Sequence, residues 1–431
     1  MPYADLSSQE LEERLAALRD EYATHRAKGL SLNMARGKPS REQLALSLPM
    51  LDAIGAADDL IAEDGTDCAN YGGFEGIPEA KRLMASMLDH DPADVLVFGN
   101  SSLNIMYDLV VAGMLYGYAG RPAWKTLPEP RWICPVPGYD RHFRIVERLG
   151  FAPVVVPMTE NGPDMDEVER IVAEDDSVKG IWCVPKYSNP TGAVYADDTV
   201  RRLAAMPCAA PDFRIFWDNA YCIHHLYEDE GRQARVLDIA RACEEAGHPD
   251  RYFKFASTSK VTLPGAGIAA VAASRRNLDD VIERVGCETV GYDKLNQLRH
   301  VRFLHDAHGL AAHMAKHAAL IRPKFDLVAH VLDRELAGTG AAWTHPSGGY
   351  FVSFDGLPHT AKRTVALAKE AGVTMTGAGA TWPGGIDPDD RNIRIAPTLP
   401  PLEELERALE VFVCCVKIAS IEAILSSRRK G

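Results

Sequence analysis

The chain has nine cysteines, at positions 68, 134, 183, 208, 222, 243, 287, 414 and 415, yet no Cys-x-x-Cys pair. Their scatter and odd number argue against a disulfide framework and fit reduced thiols in the cytoplasm. Also missing is any apolar run near the eighteen residues that a membrane span needs, and no basic-then-apolar leader opens the chain. Basic residues are the minority: 47 Lys and Arg stand against 60 Asp and Glu, a formal charge of -13. That balance disfavours a nucleic-acid surface. No internal repeat and no low-complexity linker is found. The histidine groups His224-His225 and His300, His305 and His308 lack acidic or thiolate partners at matching spacing. No metal site is expected, and solvated or capping roles are expected for them.

What remains is a chain of 431 residues, 46% hydrophobic and 25% charged, with room for two or more domains. Residues 7–28 read as an amphipathic helix with Ser7 or Ser8 as its cap and Glu10 in the first turn. From about residue 50 to 305, short apolar runs alternate with helical stretches. The runs are Val95–Phe98, Trp132–Val136, Val154–Pro157, Gly180–Val184, Phe213–Trp217, Tyr252–Ala256 and Ile268–Ala273. This alternation predicts an α/β fold with a mainly parallel, seven-stranded sheet between helices. A long helix over 308–337, strands near 349–354 and 392–396, and a terminal helix over 401–425 predict a smaller α+β domain. The expected division is an N-terminal helix and arm over 1–49, a large domain over 50–307, and a small domain over 308–431.

Ligands of such sheets sit beyond the carboxyl ends of the strands. Five loops there carry chemistry. Lys260 ends Phe255-Ala256-Ser257-Thr258-Ser259-Lys260, where crowding by small hydroxyl residues would desolvate the amine and make it a nucleophile towards aldehydes. A solvated loop lysine is the plainer reading. Gly99-Asn100-Ser101-Ser102 opens a helix and suits a phosphate, or is a simple serine cap. Pro190 holds Asn189 extended and fixes its amide, or marks an ordinary turn. Asp218 ends an apolar strand and needs a cationic partner, with Tyr221 three residues on; a structural ion pair would satisfy it equally. Tyr139, after Pro137-Gly138, could stack on a flat ligand or pack under the next helix.

Together and in this order these stretches resemble the fold type I pyridoxal-phosphate enzymes, specifically the class I/II aminotransferases. The resemblance covers nearly the whole chain. It is carried also by Tyr71-Gly72-Gly73, Asn189-Pro190-Thr191-Gly192, Asp218-Asn219-Ala220-Tyr221 and Asn392-Ile393-Arg394-Ile395. Lys186-Tyr187-Ser188-Asn189-Pro190-Thr191-Gly192 and Asp293–His300 are similar to the bacterial class Ic aspartate aminotransferases.

The resemblance implies pyridoxal 5′-phosphate held as an internal aldimine on Lys260, which then acts as the base. Asp218 would pair with the ring nitrogen, Tyr221 and Asn189 would bind the ring's phenolate oxygen, and Tyr139 would stack on the ring. Ser101, Ser102, Ser257 and Ser259 would surround the phosphate, with Tyr71 reaching in from a second subunit. Arg394 would clamp the substrate α-carboxylate, and Gly37 would let the backbone close over it. Many relatives carry an arginine eight residues after the lysine; here Ile268 stands there, leaving Lys294, Asn296 and Arg299 as candidates for the missing charge. A second substrate carboxylate would need a second cation, for which Arg36, Lys38, Lys125, Arg141, Lys186 and Lys294 are eligible.

The implied reaction is L-aspartate plus 2-oxoglutarate giving oxaloacetate plus L-glutamate, by a ping-pong path in a homodimer with shared sites. The alternatives are an aminotransferase for another amino acid, or a β-lyase. A cofactor-binding transcriptional regulator is disfavoured by the acidic balance and the short segment before the first motif.

Overall fold

A computed structural model describes residues 2–430. Its main sheet has eight strands. In spatial order they are Val95–Phe98, Ala269–Ala273, Tyr252–Ser257, Arg214–Asp218, Val178–Cys183, Arg131–Val136, Ala152–Thr159 and Gly162–Pro163. All seven apolar runs are strands. The eighth, the two-residue Gly162–Pro163, pairs antiparallel with the end of Ala152–Thr159 and carries no apolar run of its own. Five of the strands are buried along their whole length, because helices cover both faces of a mainly parallel sheet.

Ala269–Ala273 runs antiparallel to both its neighbours. It brings the chain straight back after the lysine loop, so that loop is anchored at each end in adjacent strands. Four of its five residues are alanine, which lets flanking helices approach closely.

Helix Ser8–Ala27 begins at Ser7, whose side chain accepts from the Glu10 amide while Glu10 accepts from Ser7, the reciprocal cap the sequence suggests. It lies along the C-terminal helix Leu402–Lys430, where Arg19 pairs with Glu422 at 3.2 Å. Arg394 lies on Asn392–Ile395, which pairs antiparallel with Val352–Asp355. Helix Ala307–Glu335 carries Pro323 in its interior and buries Leu310, Met314, His317, Ile321 and Phe325.

Candidate active site

The carboxyl ends of the parallel strands open into a cavity of about 480 Å³. Ser101 and Ser102 reach it from the start of helix Ser102–Tyr116, and Tyr139 from just before helix Asp140–Arg148. Asn189 follows Val178–Cys183. Asp218 is the last residue of its strand, and Tyr221 lies one turn beyond. Ser257, Ser259 and Lys260 line it as well, as do Gly37 and Arg394.

Asp218 is buried, and its two oxygens differ. Oδ2 bonds His142 Nε2 at 2.9 Å, and that imidazole stacks on Trp182 with ring centroids 4.5 Å apart. Among the described residues Oδ1 is buried without any partner. An unsatisfied buried acceptor costs about 1–3 kcal/mol, so this oxygen is set for a donor placed in the cavity.

Lys260 Nζ lies 4.8 Å from the Tyr221 ring centroid and 6.0 Å from that of Tyr350. Burial pulls its pKa below that of an ordinary lysine, against the opposing pull of Asp218. Burial, with the Asp218 and Asp140 charges, pushes Tyr139 up to about 12, and burial holds Tyr221 well above its usual value. Both phenols therefore stay protonated as donors.

Arg394 Nη1 contacts Asn189 Oδ1 at 3.2 Å and Asp140 Oδ1 at 3.3 Å, and the guanidinium sits 4.8 Å from the Phe351 ring centroid. Its Nε is buried and unpartnered. Only glycine fits at 37, since a Cβ there would lie 2.4 Å from the Phe351 ring.

The serine end is suited to an anion. Ser101 is the N-cap of Ser102–Tyr116 but makes no side-chain cap bond, which leaves its hydroxyl and the Ser102 and Leu103 amides available, while the Asn104 amide bonds the Ser101 carbonyl at 3.2 Å. Ser257 Oγ donates to Ser259 Oγ at 3.0 Å, and Ser259 Oγ to the Asn100 carbonyl at 3.2 Å. Ile268 is a core residue whose amide donates to Thr258 Oγ1.

Three candidates for the missing charge lie elsewhere in this chain. Lys294, Asn296 and Arg299 do not line the cavity. Lys294 Nζ is bonded to the carbonyls of Asn70 at 2.7 Å and Gly72 at 2.6 Å, and the Asn296 amide to those of Ala266 and Gly267 at 2.9 Å. Tyr71 is 85% exposed and lies outside the cavity of its own chain.

Of the six eligible second cations, Arg36 and Arg141 line the cavity. Lys38, Lys125 and Lys186 do not; Lys186 Nζ donates to the Cys222 carbonyl at 2.7 Å. The sequence reading missed His142, Asp140 and Phe351. His142 lies three residues after Tyr139, a spacing that puts both rings on one face of the helix start, and this was the available signal. His224 and His300 are buried rather than solvated, whereas His305 and His308 are exposed.

The sequence matches the family model for aspartate amino-transferases over residues 6–428. It is 45% identical to an aspartate aminotransferase of Corynebacterium glutamicum over 430 residues, which span 97% of this chain and 98% of that one. The crystal structure of an aspartate transaminase from the same species superposes with a TM-score of 0.95 at 44% identity, covering 98% of this chain and 99% of that chain. The α-aminoadipate aminotransferase of Thermus thermophilus, solved with N-(5′-phosphopyridoxyl)-L-leucine, shares the fold at 21% identity, with a TM-score of 0.72 over 98% of this chain and all of that one.

Proposed function

This chain belongs to the aspartate amino-transferase family and is an aminotransferase of fold type I, and from that premise we propose that it binds pyridoxal 5′-phosphate at Lys260 and exchanges amino groups between L-aspartate and 2-oxoglutarate. The observation that carries the cofactor reading is the orphaned Asp218 Oδ1, buried in the same cavity as an amine of lowered pKa. A protonated ring nitrogen is the donor that this oxygen lacks. When bound, the cofactor supplies an electron sink for the pair left by the broken Cα–H bond.

The residues around it divide the work. Lys260, whose pKa burial lowers, would take the proton from the substrate Cα on Nζ and release it again. Asp218 keeps a proton on the ring nitrogen, and His142 fixes the orientation of the carboxylate. Tyr221 and Asn189 would donate to the ring oxygen, and Tyr139 would cover the ring. Ser101, Ser102, Ser257 and Ser259, with the helix amides, bind the phosphate. Arg394 leaves Asp140 to grip the α-carboxylate with two parallel bonds. Arg141 and Arg36 are the cations of this chain available to a side-chain carboxylate, and a dicarboxylate substrate fits such a site.

Division into a large domain over 50–307 and a small one over 308–431, cytoplasmic location, and assembly as a homodimer with shared sites complete the reading. Tyr71 and Val290, 85% and 61% exposed, sit beside each other through the Gly72 amide and Val290 carbonyl. A second copy would cover that apolar edge and bring Tyr71 to its cavity. Among the described residues no helix is long and apolar enough to cross a membrane.

An amino-donor panel tests the reading. Protein loaded with pyridoxal phosphate should convert to the pyridoxamine form fastest with L-aspartate and L-glutamate. Faster conversion with an aromatic or aliphatic donor would reassign the substrate. Pyruvate release from a β-substituted amino acid would favour a lyase.

A further inference from the structure

The lysine loop has a second side, facing away from the cavity and gripped by neutral polar groups. The Lys260 carbonyl lies 3.4 Å from both Tyr350 Oη and His224 Nε2. The Val261 carbonyl lies 2.9 Å from His313 Nε2 and 3.4 Å from Ser47 Oγ. Behind them His317 Nε2 is 3.1 Å from His313 Nε2. Gln43 Nε2 then bridges His317 Nδ1, at 3.2 Å, and Tyr350 Oη, at 2.9 Å. Gln43 and both imidazoles are buried.

The orientation of Gln43 is fixed independently. Its Oε1 accepts from the Ser40 amide at 3.0 Å, part of the capping box that starts helix Arg41–Ala45. The amide nitrogen must therefore face His317, so Nδ1 is an acceptor and the proton resides on Nε2, which donates to the Val261 carbonyl alongside His313 Nε2. A second proton on His317 would collide with a donor that cannot turn without undoing the cap. The titratable groups that act on the pair are His224 from the large sheet side and Lys316 from the same helix, with Tyr350 reached through Gln43. None is a carboxylate, and among the described residues neither imidazole has an ion-pair partner.

We propose that Gln43, His317 and His313 form a positioning relay that fixes the Lys260–Val261 backbone and ties it to the arm carrying Arg36 and Gly37. The arm runs from Gly37 directly into the cap of Gln43. Phe351, next to Tyr350, packs on Gly37 and under Arg394. Movement of the arm on substrate is thereby transmitted to the backbone that holds the amine. Burial, with His313 adding, holds His317 down to about 4, in keeping with the locked neutral tautomer. His317 therefore binds fewer protons folded than unfolded between about pH 4 and 6.5. The grip is complete above that window and is lost as the pH falls through it.

The proposal rests on the reading of Lys260 as the cofactor lysine, and its test separates the two. His317→Leu removes the donor. His317→Gln keeps one and does not titrate. Gln43→Leu unlocks the pair while leaving both imidazoles. In loaded protein at pH 8, His317→Leu should lower kcat about five- to tenfold, the range one buried hydrogen bond supports. It should also shift the pH midpoint of the bound cofactor's visible band, with His317→Gln restoring both. In cofactor-free protein, His317→Gln and Gln43→Leu should reduce the drop in thermal midpoint between pH 7 and 4.5. A wild-type drop in both variants overturns the relay, as does a wild-type band midpoint in His317→Leu. If His317→Leu does not fold, the cofactor-free comparison of the other two decides. If wild-type protein takes up no cofactor, the functional reading fails while that comparison still judges the relay.

Discussion

The two sides of the lysine loop are built on opposite principles. Facing the cavity, polar groups are left incomplete: Asp218 Oδ1 and Arg394 Nε are buried without partners, and the Ser101 hydroxyl caps nothing. Facing away, Thr258, Thr262 and the carbonyls of Lys260 and Val261 are met by His300, His224, His313 and Tyr350. Burial makes an unmet hydrogen bond expensive on either side. With one exception, the buried and unpartnered His224 Nδ1, the rear therefore reads as finished scaffold, and the front as one half of a complex. Here the site is marked by its chemistry rather than by cavity volume. The larger cavity, about 610 Å³ along helices Ser102–Tyr116 and Arg275–Glu288, contains neither Lys260 nor Asp218.

That contrast is tested first at the amine. Lys260→Ala should abolish turnover, lowering the rate by about 10⁴-fold or more, because proton transfer and cofactor attachment are lost together. Borohydride should no longer fix pyridoxal phosphate to the protein. Turnover near wild type would place the chemistry elsewhere. Asp218→Asn comes next, with a loss of about 10³-fold as the ring nitrogen loses its anion. Because Oδ1 has no protein partner, the cofactor-free variant should unfold at a temperature no lower than wild type. A large drop in that temperature would make Asp218 part of the scaffold. Arg394→Lys should raise KM for the amino acid about 100-fold with a smaller change in kcat, since an ammonium makes no paired contact with a carboxylate. An unchanged KM would move the α-carboxylate to another cation.

The front was largely legible in the sequence, and the rear was not. Motifs mark the front because each residue there follows an apolar strand, and strand ends can be read from periodicity. Asp218 and Lys260 stand out as charged residues at the ends of largely apolar runs. The rear is assembled from distant segments. His317 lies on the apolar face of a long helix and reads as one more core position, while Gln43 and His300 gain meaning only when the helices pack. His142 fell between these cases, adjacent to Tyr139 yet silent without Asp218 beside it. The fold was readable down to seven of the eight sheet strands. The exception, Gly162–Pro163, is formed by a tight return of the preceding strand, without a hydrophobic signal. The charge missing at Ile268 stayed unassigned for a related reason: Lys294 sits in a promising motif, but the backbone carbonyls of Asn70 and Gly72 claim it.

The smallest expected effect concerns how the front chooses its substrate. Arg394 and Arg141 flank the same carboxylate, Asp140, at 3.3 Å and 4.0 Å. Arg394 is buried, whereas the Arg141 side chain is 52% exposed. The same guanidinium therefore acts in two dielectric settings. At Arg394 the contact is shielded and geometrically defined; at Arg141 solvent screens it to about 1 kcal/mol or less. Arg141→Gln should accordingly raise KM for L-aspartate by about fivefold, the equivalent of that screened contact. It should leave L-alanine unaffected, and the difference should shrink as salt is added. Equal effects on both substrates would assign Arg141 to the mouth of the site in general. A change with L-aspartate in Arg36→Gln instead would transfer the side-chain carboxylate to the arm, the part of the front that the rear relay holds.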